Sequence, residues 1–190
     1  MSKKLILLIG APGSGKTTDA KIVANDFKDS ITTYSLGDIL KQDINKGGKV
    51  GKIINDYVSK GDLVPAALTI DEVFKVIDNA PTDIVLIDGF PREMEQVKIF
   101  GDAINNLKRV ELLSVIEVRV NKDLAKSRYF KNHSEDEEIF NHSMKSYQDT
   151  INEIEEYYKG KNMLKVIDGE KDLDVVVSDI EEYLKSLIKS

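Results

Sequence analysis

Cysteine is absent from the 190 residues, which removes disulfides and thiolate zinc sites from consideration. Arginine is scarce. Of 27 basic side chains only Arg92, Arg109, Arg119 and Arg128 are arginine; with 33 acidic residues the formal net charge is −6. That balance suits poorly a protein that coats nucleic acid by neutralising phosphates. No apolar run reaches the roughly 20 residues that a membrane span requires. The N-terminal Met1–Lys4 leads into an apolar run that stops at Gly10 with no small-residue cleavage site behind it, so no secretory leader is expected. Internal repeats, low-complexity tracts and Pro-rich linkers are also missing. The resulting expectation is a soluble, cytoplasmic, single domain over 1–190, in which a 41% hydrophobic share suffices for one core.

Apolar runs rich in β-branched residues alternate with longer amphipathic stretches. Leu5–Ile9, Ile84–Ile87, Leu112–Val120 and Met163–Ile167 are of strand length, and Ile31–Tyr34 is a weaker fifth. Runs that are continuous, not alternating, suit strands covered on both faces, as in a parallel sheet. Helical spacing marks Thr17–Phe27, Glu93–Leu107, Glu137–Tyr158 and Asp174–Ile188. The alternation predicts an α/β fold with right-handed crossovers. Two stretches interrupt it: Gly37–Leu63, helical but broken by glycines, and the short polar Phe130–Asp136. Insertions of this kind often carry function.

Gly10–Thr17 satisfies G-x-x-x-x-G-K-[ST] in full, after a strand and before a helix. There the glycines let backbone N–H groups curl inward around phosphate, and the helix N-terminus adds its partial positive charge. Lys16 can reach the terminal phosphates of a nucleoside triphosphate, and Thr17 or Thr18 offers a hydroxyl to Mg²⁺. Ile84–Asp88, an apolar strand ending in an acid, supplies the group that orients water on that metal.

The residues after Asp88 address the phosphoryl acceptor. Asp88-Gly89-Phe90-Pro91-Arg92 followed by Gln96 resembles the D-G-[FY]-P-R-x-x-x-Q signature of the adenylate kinase family. Ser35–Lys41 resembles its S-T-G-D-x-L-R segment, Gly61–Pro65 its G-x-L-V-P turn, and Val166–Gly169 the strand that closes over the nucleotide base. The stretch between Arg128 and Glu137 is short, as in bacterial short-lid forms. Independently of the family, Arg92 presents a planar fork suited to bidentate phosphate recognition, and Gly89 permits close backbone approach. Gln96, four residues on, is expected on the same helix face, within reach of a base edge.

The resemblance implies a three-layer P-loop NTPase fold with a five-stranded parallel sheet and helices on both faces. An acceptor-binding insertion would cover about 35–64 and a short lid about 131–136. It implies a monomeric kinase that transfers the γ-phosphoryl group of ATP to AMP with Mg²⁺, without zinc, nucleic acid or membrane partners. Lys16, Asp88 and Arg92 would be catalytic. ATP would be held by Gly13, Ser14, Gly15, Lys16, Thr17, Thr18, Arg128 and Lys171. AMP would be held by Leu36, Lys41, Asp62, Leu63, Val64, Gly89, Phe90, Pro91, Arg92 and Gln96, and the metal by Thr17 and, through water, Asp88.

Four positions depart from the family pattern. Leu36 stands where a threonine contacts the acceptor base, and Lys41 where an arginine grips its phosphate. Asn132 and Ser143 stand where arginines clamp the transferring phosphates, and no arginine follows Arg128. Loss of such clamps costs roughly 10³–10⁵ in rate where they act as arginine fingers. Lys126, Lys131 and Lys145 are the nearby cations left to substitute, as point charges. Two alternatives therefore stand beside the kinase reading: a catalytically weakened nucleotide-binding protein, and a kinase of a different nucleoside monophosphate. His133 and His142 are read as solvated, Ser134 as the N-cap of the long helix, and Glu135–Glu138 as its acidic first turn.

Overall fold

The computed structural model describes residues 2–132 and 137–188. Five parallel strands form one sheet: β1 (Lys3–Ile9), β2 (Ile31–Ser35), β3 (Ile84–Asp88), β4 (Val110–Arg119) and β5 (Leu164–Asp168). Their spatial order is β2-β3-β1-β4-β5, which puts the first strand at the centre. Leu5, Ile6, Leu7 and Leu8 have no exposed surface, so both faces of β1 are covered, as its unbroken apolar run requires.

The two faces can be told apart by alternate residues. On one, Leu5, Leu7, Val85, Ile87 and Val115 pack beneath α4 (Ala66–Asn79), α5 (Met94–Leu107) and α7 (Glu137–Gly160). On the other, Ile6, Leu8, Leu86, Ile116 and Val118 pack beneath α1 (Lys16–Asp26) and α8 (Leu173–Ile188). Phe90, just past β3, meets Phe100 of α5 edge-on at 4.9 Å, and Phe100 meets Phe74 of α4 at 5.2 Å. Phe90 and Phe100 are fully buried, worth about 1.5–3 kcal/mol each. That burial fixes the chain as it leaves β3.

α2 (Leu36–Lys46) and α3 (Gly48–Val58) fill the expected glycine-broken stretch and hang from the sheet through Leu36, Leu40 and Ile54. The polar interruption expected from Phe130 begins later than the sequence suggests. α6 (Lys122–Asn132) runs through Phe130 because that ring packs with Tyr129 and Phe140 over Ala11 and Ala125. His133, Ser134 and Glu135, and most of the lid stretch, lie outside the described residues. Glu137 and Glu138 do occupy the first turn of α7.

Candidate active site

β1 and β3 are neighbours, with Leu8 opposite Asp88, yet the helices that follow them leave on opposite faces of the sheet. Ligands of open α/β sheets bind at such a point, beyond the carboxyl ends of the strands. Both sequence motifs converge here. The loop after β1 turns through Gly13 at φ +81, where a Cβ would lie 2.1 Å from the Ala125 carbonyl oxygen. Only glycine fits. Gly15 then starts α1, and Thr18 and Asp19 donate their N–H groups back to Gly15 O.

Gly13 through Thr18, Arg128 and Lys171 line one cavity of about 290 Å³, together with Asp19, Tyr129, Gly169, Leu173 and Val176. Arg128 spans it, donating from Nη1 to Gly169 O at 2.7 Å and to Ser14 O at 3.3 Å. Lys171 is tied to Asp179 at the rim.

Thr17 Oγ1 donates to Asp88 Oδ2 at 2.5 Å. Asp88 is buried, and its Oδ1 has no hydrogen-bond partner among the described residues. A hydroxyl beside a carboxylate with a spare oxygen suits a hard cation that keeps most of its water. Among the described residues no group of three or more His, Cys, Asp or Glu could hold a metal by protein side chains alone. Thr17 and the spare oxygen of Asp88 fit a magnesium ion that keeps most of its other ligands from outside the protein.

Lys16 donates from Nζ to Ala11 O at 3.1 Å. Burial lowers its pKa, Asp88 and Asp19 oppose that, and Arg92 adds to it. Arg92 keeps solvent access, yet the surrounding protein lowers its pKa too, with Asp88 pulling the other way. Two cations thus gather around one carboxylate, an arrangement that an anionic ligand balances.

Arg92 is held by its Nε donating to Gly89 O at 2.8 Å, and Thr150 of α7 donates to the Arg92 carbonyl at 3.0 Å. Leu36 lies against Gly89, and Leu36, Val64 and Phe90 share one core. Pro91 is buried, and Leu63 is half-buried beside Val64. The expectation of a shared helix face for Arg92 and Gln96 needs correction. α5 begins at Met94, so Arg92 precedes it, and the buried Gln96 reaches back to accept the Arg92 backbone N–H at 2.8 Å. The bond reaches one residue beyond the N-cap Glu93 and ties the first turn of α5 to the arginine.

Other expected residues stand apart. Lys41 is exposed on α2, and Asp62 contacts His142 of α7. Of the candidate substitutes for the clamp, Lys126 is bound to Glu137 and Lys145 to Asp149, while Lys131 is exposed at the end of α6. Sequence reasoning missed Asp19, a buried carboxyl whose Oδ2 has no partner among the described residues. Burial raises its pKa to about 7, against the pull of Arg128. Its position one turn beyond Lys16, on the core side of α1, was the available signal.

The family model described as "Adenylate kinase" matches residues 8–163. Similar proteins include an adenylate kinase of Sulfurovum sp. (strain NBC37-1), 42% identical over 98% of this chain and 100% of the relative. Another, from Campylobacter lari, is 41% identical over the same shares, and a third, from Helicobacter hepaticus, is 40% identical over 96% of this chain and 98% of its own.

Proposed function

The chain belongs to the adenylate kinase family, a family of nucleoside monophosphate kinases, and from that premise we propose how its residues serve the reaction. The γ-phosphoryl group of ATP passes to AMP, giving two ADP, and the reaction runs in both directions. Transfer of this kind asks the protein for positioning and charge neutralisation more than for covalent chemistry. Lys16 meets the donor phosphates above the inward-facing loop, and Arg128 lies against the donor base. Arg92 grips the acceptor phosphate, braced by Gly89 and Gln96. Leu36, Asp62, Leu63, Val64 and Gly89–Pro91 wall the acceptor, with Lys41 adding charge and the Gln96 amide near the base. Thr17 and Asp88 orient the water shell of the magnesium ion, which, when bound with the donor, neutralises charge on its phosphate oxygens. The acceptor segment, about 35–64, and the lid, about 131–136, close to exclude water and prevent plain hydrolysis. The reading includes a monomer working in the cytoplasm. Among the described residues no helix is long and apolar enough to cross a membrane.

The observation that carries this reading is the meeting of Lys16, Arg92 and the Thr17–Asp88 pair at the point where β1 and β3 diverge. Its test is coupled ADP production with ATP and, separately, AMP, CMP, UMP or GMP. AMP is expected to be the preferred acceptor. Preference for another nucleotide, or no turnover on any of the four, refutes it.

A further inference from the structure

The helix that follows the lid stretch seats the turn that ends the acceptor segment. His142 Nε2 on α7 lies 2.9 Å from Asp62 Oδ1, and Ser143 Oγ donates to Gly61 O at 3.5 Å. Gly61 has φ +75, and a Cβ there would sit 3.3 Å from Ile139 Cγ2, Ile139 O and Ser143 Oγ alike. The backbone of the turn therefore rests directly on α7. Ile139, His142 and Ser143 are three and four apart, hence on one helix face. Further along that helix, Thr150 donates to the carbonyl of Arg92. One rigid element thus touches both the turn leading into Leu63 and Val64 and the arginine after β3.

We infer that His142 and Asp62 are positioning residues for the acceptor nucleotide. Their contact, beside the seated Gly61, holds the Gly61–Val64 turn at a set span from Arg92, so base and phosphate are gripped together. Ser143 is part of the same clasp. Where the family places a phosphate-clamping arginine, this chain has a short hydroxyl side chain that lets Gly61 approach. The inference rests on the proposed reading of that turn and of Arg92 as acceptor contacts.

The test uses Asp62→Ala, His142→Ala and the double variant in the full chain, with AMP affinity from calorimetry and steady-state constants from ADP production. Both side chains are about half exposed, so the contact is worth roughly a two- to five-fold change. Each single variant should raise the AMP Kd and KM by that factor, with smaller changes in kcat and in the KM for ATP. The double variant should match a single one, because the second substitution has nothing left to break. Asp62→Asn, which keeps the accepting oxygen, should restore most of the affinity. Multiplied effects in the double variant, equal rises for ATP and AMP, or no change overturn the inference. Amide exchange at Leu63 and Val64 in nucleotide-free protein separates the two levels of the argument. Faster exchange in His142→Ala supports the clasp even if no acceptor is turned over, and unchanged exchange overturns it.

Discussion

Replacing Asp19 by Asn should make the protein more stable above neutral pH and leave it unchanged in acid. Asp19 is 2% exposed, and burial raises its carboxyl from 3.8 to about 7. In strong acid the group is protonated in both folded and unfolded chains and contributes no difference. As pH rises past 3.8 the unfolded chain ionises first and is favoured, so native stability declines until the folded group also ionises near 7. About three pH units at 1.36 kcal/mol each gives a loss of about 4 kcal/mol, complete by about pH 8. Against a typical total of about 5–15 kcal/mol, that is a large share. Asparagine keeps the shape of the protonated acid and removes the titration. Thermal unfolding without nucleotide from about pH 4 to 8 reads the difference. The variant should match the parent near pH 4 and melt about 8–16 °C higher near pH 8, at roughly 2–4 °C per kcal/mol for a chain of this length. A melting difference that stays constant across the range would refute the reasoning, because other titrating groups cancel in the comparison.

Three further outcomes are expected. Lys16→Met should abolish ATP-dependent ADP formation while the melting curve without nucleotide shifts little; normal turnover would remove Lys16 from the donor site. Ser143→Arg should raise kcat by at least about ten-fold if a lost arginine finger limits transfer, while weakening AMP binding by displacing Gly61. An unchanged kcat would mean that the existing lysines suffice. Arg119 forks both of its bonds onto the buried Glu117 and also reaches Glu155 of α7. Arg119→Met should cost about 1–3 kcal/mol in urea unfolding, discounted because half of the arginine is open to solvent, and adding Glu117→Gln should recover most of it. No recovery would show that the charge left behind on Glu117 is not the cause.

The sheet was legible because its central strands, β1 and β3, are covered on both faces. Leu5–Ile9 and Ile84–Ile87 are unbroken apolar runs, Leu112–Val120 and Met163–Ile167 are apolar runs interrupted by polar residues, and even the weak Ile31–Tyr34 is a strand, held against β3 by Ile31–Ser35 pairing with Ile84–Asp88. The phosphate loop was legible because its requirements are local: glycines, a lysine and a hydroxyl at fixed spacing. What stayed hidden depends on contacts far apart in sequence. His142 looks like a solvated histidine until α7 is laid beside Asp62, and Phe130 looks like loop until Phe140 packs on it. Gln96 was placed near the right arginine but with the wrong geometry, since helical spacing assumed a helix that starts two residues later. Asp19 was missed because one turn of helix decides whether a carboxyl faces water or the core, and its neighbours give little amphipathic pattern.

The two outer strands of the sheet, β2 and β5, have five residues each, no more than any inner strand and half the ten of β4. An outer strand offers unpaired backbone groups to any passing chain, and the hazard grows with its length and flatness. β5 also carries Lys165 and Asp168 in exposed positions. Neither edge of the sheet therefore presents a long adhesive border to a second chain. That limit lies at the margins of the sheet, away from Lys16, Asp88 and Arg92 at its centre.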